Sequence, residues 1–483
     1  MKPKQLFRFA TAASIAAVLA GCVSSAGIVP VAEPLAPAAV GLGLDAKAGA
    51  ADTAAPAADW WRAFGDPKLD ALIERALASH PDLAAAQTRV ARAEALLAGA
   101  TAAGKPQVGG QLDATRQRFS ATSIYPPPLG GSTRTLGTAQ LNGSWEPDFF
   151  GRNRAAIEAA IGAQRAAQAD LQAARAMLAG TVAGTYAQLA RLFEQRRVAE
   201  RALTQRDEML ALIRQRVRGG LDTNVELRQG EGALPETRQQ IEALDEQITL
   251  ARHALAALTV QPPDALDALT ASLTELRTVA LPSTLPADLL ARRADVTAAR
   301  WRIEAATHDM ANAKAQFYPN VNLTAFVGLA SIGLDQLVKS GSEQWGVGPA
   351  IRLPIFDAGR LRANLRVKAA DLDAAVDSYN GALLTAVREV ADQLSSLRSI
   401  ARQQTEQADA QASAEAAFDL ATQRYKAGLS TYLTVLNAEA GVLTQRRQAA
   451  DLKARALDAQ FALIRALGGG YAGDPALAAN QSR

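Results

Sequence analysis

The residues that could do chemistry in this 483-residue chain are few and widely spaced. His80, His253 and His308 are the only histidines and show no short ligand spacing, so each reads as a helix-surface or cap residue, not as a metal ligand. No Gly-x-x-x-x-Gly-Lys-Ser/Thr phosphate loop occurs, so the chain cannot power work by itself, and Gly468-Gly469-Gly470 reads as a helix stop. No Ser-His-Asp arrangement suggests itself. Many Asp and Glu residues stand beside Arg on helical stretches, the pattern of a salt-bridged wet face. These features argue against an enzyme and against any bound cofactor or metal. The one reactive side chain in a telling position is Cys22, the only cysteine, which excludes an internal disulfide.

Lys2, Lys4 and Arg8 precede the apolar run Phe9 to Leu19, a charged region followed by an apolar one of secretory size. The run ends in Leu19-Ala20-Gly21-Cys22, which resembles a bacterial lipobox. On that reading residues 1–21 are a signal peptide, and Cys22 becomes the mature N-terminus carrying a diacylglycerol and an amide-linked acyl chain. Several chains are needed because one acyl chain alone binds membranes only weakly. The alternative is an ordinary signal peptide with an incidental cysteine. Val23 follows, without the Asp associated with inner-membrane retention. Residues 22–58, rich in Ala, Pro and Gly, read as a lipidated, extended tether.

The elements that must position anything functional are long helices. Of the 49% hydrophobic residues much is alanine (108 residues), and aromatics are only 5%, too little for a thick globular core. Such sequence suits long helices packed closely side by side. The net charge of +3 is small and dispersed, which argues against nucleic acid. No strongly apolar window of membrane-helix length occurs after the N-terminus.

The chain is also duplicated. Pro81-Asp82-Leu83-Ala84-Ala85-Ala86 corresponds to Ala294-Asp295-Val296-Thr297-Ala298-Ala299 at an offset of 213, and Pro106 to Pro319 at the same offset. Gly151-Arg152 matches Gly359-Arg360, and Gly220-Leu221 matches Gly428-Leu429, both at an offset of 208. The spacing predicts a first repeat over 59–260, with a helix at 67–104, strands at 107–119 and 137–149, a long helix at 151–217 and a return helix at 225–260. A linker at 261–286 leads to a second repeat over 287–467, with a helix at 287–316, strands at 319–330 and 344–356, a long helix at 358–426 and a return helix at 432–467. Residues 468–483 form a tail. In the long helices Leu171, Leu178, Val182, Tyr186, Leu189 and Phe193, then Leu361, Leu365, Leu372, Val376, Tyr379, Leu383, Val387, Val390, Leu394 and Leu397, make narrow coiled-coil stripes. Each such helix would be about 100 Å long and too polar to cross lipid. Pro235 predicts a kink in the first return helix, and no proline answers it in the second.

The inserts alternate with period two. Val108, Gly110, Leu112 and Ala114 alternate with polar residues or glycine, as do Ala139, Leu141, Gly143 and Trp145. So do Val321, Leu323, Ala325, Val327 and Leu329, and then Trp345, Val347, Ile351, Leu353 and Ile355. Four strands of this kind match membrane β-strands with the apolar side outward; the alternative is two hairpins packing on the helices in water. Four strands cannot close a barrel, and lipid does not tolerate open edges, so a membrane reading requires several chains per barrel.

These residues resemble the outer-membrane factor family, the TolC-like export ducts, in the lipidated branch called NodT-like. The resemblance runs from Trp60 to Tyr471. It rests on Trp60-Trp61, Phe64-Gly65-Asp66-Pro67 and Leu69, on Leu289-Leu290-Ala291-Arg292-Arg293-Ala294-Asp295-Val296 and on Leu353-Pro354-Ile355-Phe356-Asp357-Ala358-Gly359-Arg360. It also rests on Glu389-Val390-Ala391-Asp392, Arg424-Tyr425-Lys426-Ala427-Gly428 and Ala466-Leu467-Gly468-Gly469-Gly470. Ala294 stands where the family usually has Pro, and Thr259-Val260-Gln261-Pro262 replaces a Leu-Gly turn.

The resemblance implies a mainly α fold with transmembrane β. Duplicated helical hairpins form a periplasmic α-barrel, and a homotrimer closes a twelve-stranded outer-membrane β-barrel. It implies a lipid-anchored location in the outer membrane, extending into the periplasm. The turns at Gly219, Gly220 and Leu221 and at Gly428, Leu429 and Ser430 become the periplasmic tip, where an adaptor docks. Asp222, Glu226, Thr434 and Asn437 become candidates for the tip aperture; for Glu226 the alternative is an ordinary solvated first-turn Glu. The second repeat lacks the carboxylates of a double acidic ring. The function implied is a passive outer-membrane channel of a tripartite efflux system, exporting small toxic compounds with a periplasmic adaptor and an inner-membrane pump of the RND class. The alternatives are the duct of a type I protein secretion system, or a non-conducting, lipid-anchored coiled-coil scaffold.

Overall fold

The computed structural model describes residues 24–36, 56–279 and 293–471. Cys22, and the expected linker and helix segments over 280–292, lie outside the described residues. A 3-10 turn at Trp60–Phe64 leads into α1 (Pro67–Ser79) and α2 (Pro81–Ala103), followed by β1 (Gln107–Arg118) and β2 (Thr133–Trp145). Next come α3 (Arg152–Arg218) and α4 (Asn224–Leu258), then α5 (Ala294–Ala315), β3 (Asn320–Ile332), β4 (Glu343–Arg352), α6 (Arg360–Lys426) and α7 (Tyr432–Ala466). Both α3 and α6 are 67 residues long, and both α4 and α7 are 35.

Several boundaries differ from expectation, each for a local reason. The single helix expected at 67–104 is two, because the residue before a proline is driven out of the α region; His80, before Pro81, is extended at φ −68°, ψ 130°. Strand β2 covers Thr133–Trp145 instead of 137–149, since Pro147 has no donor for a ladder and Trp145 is the last residue paired. Strand β4 stops at Arg352, not 356, because its partner β3 begins at Asn320 and Pro354 follows. The repeats are not the compact units either. Among the described residues one unit takes 24–34, 89–167 and 299–379, and the other takes 35–36, 56–88, 168–279, 293–298 and 380–471, so each unit draws on both repeats.

The first unit holds one antiparallel sheet in the order β1-β2-β3-β4. Its helical part packs tightly: a Cβ on Gly162 of α3 would lie 2.9 Å from the Ala305 nitrogen of α5, so glycine is what lets the two backbones approach. Leu365, Leu372 and Val376 of the α6 stripe bury against Met310 and Ala313. Residues 24–34 run as a strap on the same helix, with Ile28 buried in that cluster. The Asp373 carboxylate accepts from the Val31 and Ala32 amides at 2.7 and 2.8 Å, and Arg362 donates to the Ser24 and Ala26 carbonyls.

The second unit holds the main core. Leu178, Val182, Tyr186 and Leu189 of the α3 stripe are buried there with Trp60, Trp61, Phe64 and Phe461. Asp66, 2% exposed, caps α1 through the Lys68 amide at 2.9 Å and accepts from the Tyr186 hydroxyl at 2.5 Å. Part of the expected linker folds onto this core: Leu273 and Leu276 are buried, and the Arg277 amide donates to the Phe64 carbonyl. Arg293 is 7% exposed and bridges Asp295 and Glu389, each at 2.8 Å.

Candidate functional site

The α3–α4 and α6–α7 turns are built alike. Gly220 (φ +72°) and Gly428 (φ +77°) take the left-handed conformation that ends a helix in a Schellman-type exit. The Leu221 amide returns to the Arg216 carbonyl at 2.9 Å, and the Leu429 amide to the Arg424 carbonyl at 2.8 Å. This geometry projects both leucines into water, each 69% exposed, with Val225 and Leu433 also exposed. The Ser430 hydroxyl oxygen is buried and has no partner among the described residues.

The two turns differ in what secures them. Helix α4 starts with a full capping box, Thr223 to Glu226, whereas Thr431 makes no side-chain cap on α7. Asp222 is bound by Arg216 at 2.9 Å and accepts from the Tyr425 hydroxyl, while the Arg216 guanidinium lies 4.7 Å from the Tyr425 ring centroid. The first turn is thereby tied to the end of α6. Burial pushes the Asp222 carboxyl up, but the hydrogen bonds from Arg216 and Tyr425 outweigh it and hold it below the usual carboxylate range. Burial, then Asp222, pushes the Tyr425 hydroxyl up.

The four aperture candidates therefore do not form one set. Glu226 is engaged by Thr223, whose hydroxyl holds its carboxyl below the usual range, and Asp222 is engaged by Arg216 and Tyr425. Thr434 and Asn437 are exposed on the first turns of α7. Arg216, which binds Asp222, was not legible as a site residue; its only signal is its place one turn before the glycine pair. Arg206 is a second such residue. It binds Glu439 of α7 at 3.0 Å, the Thr237 hydroxyl at 2.8 Å and the Ala233 carbonyl at 3.2 Å, the last two flanking Pro235.

At the sheet, register sorts the side chains onto two faces. Gly110, Leu141, Val327 and Trp345 align across all four strands, with Val108, Gly143, Ala325 and Val347 as a second row on the same face. Val108, Leu112, Val327, Trp345, Val347 and Ile351 are all more than half exposed. The opposite face carries Gln111, Gln140, Asn142 and Gln344, linked by side-chain hydrogen bonds, with Gln344 donating to Gln140 at 3.1 Å. An apolar row facing outward without a partner and an amide ladder behind it suit a wall between lipid and water. Among the described residues both edge strands, β1 and β4, have one side unpaired.

The model of the outer membrane efflux protein family matches residues 72–260 and 285–469. The fusaric acid resistance protein FusA of Burkholderia cepacia is 36% identical over 73% of this chain and 67% of its own length. The multidrug resistance outer membrane protein MdtQ of Escherichia coli O6:H1 is 34% identical over 86% of this chain and 88% of its own. Among solved structures, the outer membrane protein VceC of Vibrio cholerae superposes with a TM-score of 0.82 at 37% identity, covering 86% of this chain and all of that one.

Proposed function

This chain belongs to the outer membrane efflux protein family, and on that footing we propose that three copies of it close one duct, with their sheets in the outer membrane and their helices in the periplasm. The protein is an outer-membrane efflux channel and not an enzyme. The observation that carries the trimer is the open four-stranded sheet with an exposed apolar face. Its two edge strands, 12 and 10 residues long, leave roughly twenty N–H and C=O groups unpaired, at several kcal/mol each in hydrocarbon, so lipid demands closure against further copies. Three copies make a ring of twelve strands, and the amide ladder lines its lumen.

The cargo proposed is small toxic compounds, a reading supported by relatives named for fusaric acid resistance and for multidrug resistance. The proposed tip is the pair of glycine turns. Leu221 and Leu429, exposed in water on a fixed backbone, suit an apolar partner surface such as a periplasmic adaptor, with an inner-membrane pump of the RND class behind it. In this reading Thr434 and Asn437 line a largely neutral aperture, while the Asp222 and Glu226 charges are spent on tying and capping the turn. Acylation of Cys22 is proposed on the Leu19-Ala20-Gly21-Cys22 motif alone.

The test is the purified full-length protein in detergent and in planar bilayers. A trimer that conducts supports the duct. A solitary monomer with its sheet folded in water, or a trimer that never conducts with adaptor present, overturns it. Unchanged drug sensitivity on gene deletion, with loss of a secreted protein, replaces small-solute efflux by protein export.

A further inference from the structure

Where the sheet of the first unit meets its helices, the structure holds a cavity of about 490 Å³, within the size range of small-ligand sites. Its wall includes Arg152, Arg352 and Arg360, the acids Glu146 and Asp148, and the aromatic pair Phe150 and Tyr318. Register places it on the polar side of the sheet. Arg352 pairs with Asn320, and two-residue steps from Arg352 lead to Gln344, which aligns with Gly328 and bonds to Gln140 of the amide ladder.

The charges here are unevenly satisfied. Glu146 is bound by Arg152 at 2.5 Å. Asp148 accepts the Asn153 and Arg154 amides at 3.1 and 2.7 Å and so caps the start of α3. The nearby Asp357 does the same for α6 through the Gly359 and Leu361 amides. Each carboxylate is thus committed, while neither the Arg352 nor the Arg360 guanidinium has a hydrogen bond or ion pair among the described residues. Phe150 and Tyr318 stack with ring centroids 5.1 Å apart and planes 8° apart, yet remain 46% and 55% exposed, so a flat apolar surface stays open to the cavity.

We propose that this cavity is a transit site for planar aromatic anions, with the carboxylate held by the Arg352 and Arg360 forks and the ring laid on the Phe150–Tyr318 pair. It rests on the export reading above and deepens it by naming a solute class. An unpaired guanidinium recognises a carboxylate by two parallel charge-assisted hydrogen bonds, whereas a neutral acceptor gains weaker bonds and a cationic solute is repelled. The aromatic pair adds stacking that a small aliphatic acid cannot use. The openness to water keeps binding weak, as a duct needs if its cargo is to leave.

The experiment titrates the full-length protein in detergent with 2-naphthoate, 2-naphthylmethylammonium and acetate, and repeats the naphthoate titration on Arg352→Gln/Arg360→Gln. It then records block of single-channel current by the same probes. Naphthoate should bind and block at least tenfold more strongly than either other probe, and the double substitution should weaken both its binding and its block at least tenfold while leaving trimer mass unchanged. Equal behaviour of naphthoate and its cationic counterpart, or undiminished block in the double variant, overturns the site. If the double variant fails to assemble, Tyr318→Leu serves as the second variant: loss of the naphthoate preference over acetate supports the site, and a retained preference overturns it. A wild-type trimer that never conducts overturns the export reading; one that conducts but ignores naphthoate overturns only this inference.

Discussion

Arg206 Nε lies 3.0 Å from Glu439 Oε1, and this pair joins the first long helix to the second return helix beside the only proline inside either return helix. Pro235 cannot donate to the carbonyl one turn before it, and the same guanidinium bonds Ala233 and Thr237 around it. In the second repeat the equivalent position is Leu443, so the two hairpins are not mechanically alike.

Arg206→Ala strands the Glu439 carboxylate, which is 6% exposed. The expected cost is about 3–5 kcal/mol, because an uncompensated buried charge is left behind. Arg206→Met with Glu439→Gln should recover most of it. Denaturant midpoints of the three proteins check this, and equal midpoints for the single and double variants would refute it.

Tyr425→Phe removes the hydroxyl that donates to Asp222 and leaves the Arg216 pair in place. Losing a hydrogen bond to a charged group costs about 1.5–3 kcal/mol, so the tip should open more readily and single-channel conductance should rise. Asp222→Asn should act the same way.

The same tie has a pH dependence. The folded Asp222 carboxyl titrates below its ordinary value of 3.8. Its ionised form therefore contributes stability that is fully present above that value and is lost as the pH falls through the lower folded one. Conductance should stay constant from neutral pH to about 4 and rise below it. In Asp222→Asn the acid-induced rise should be absent.

Gly428→Val forces a β-branched residue to φ +77°, although no atom within 4 Å would meet its Cβ. The penalty is therefore one of backbone conformation, at least about 1–2 kcal/mol, and asparagine should bear it better than valine. Efflux at equal protein level should fall in Gly428→Val and recover in Gly428→Asn.

Cys22→Ser should abolish labelling by radioactive fatty acid. Asp373→Ala should leave that labelling intact but expose residues 24–36 to protease, because the carboxylate that holds the Val31 and Ala32 amides is gone. Labelling that persists in Cys22→Ser removes the acylation proposal.

What the sequence determined by itself is whatever follows from local period and spacing. The alternation of Leu141, Gly143 and Trp145 already names one sheet face, and Leu178, Val182, Tyr186 and Leu189 already name the buried stripe, because strand and helix geometry fix which residues share a side. Gly220 and Gly428 were legible as turns, since a tight helix exit needs positive φ. The tertiary structure alone decided the long-range pairings. Tyr425 meets Asp222 across 203 residues, and Arg206 meets Glu439 across 233. No periodicity encodes such meetings, because a charged residue on a helix looks the same in sequence whether water or another helix satisfies it. The same holds for Arg352 and Arg360: only the folded chain shows that their neighbouring acids are already committed to caps and to Arg152, which leaves these two cations open.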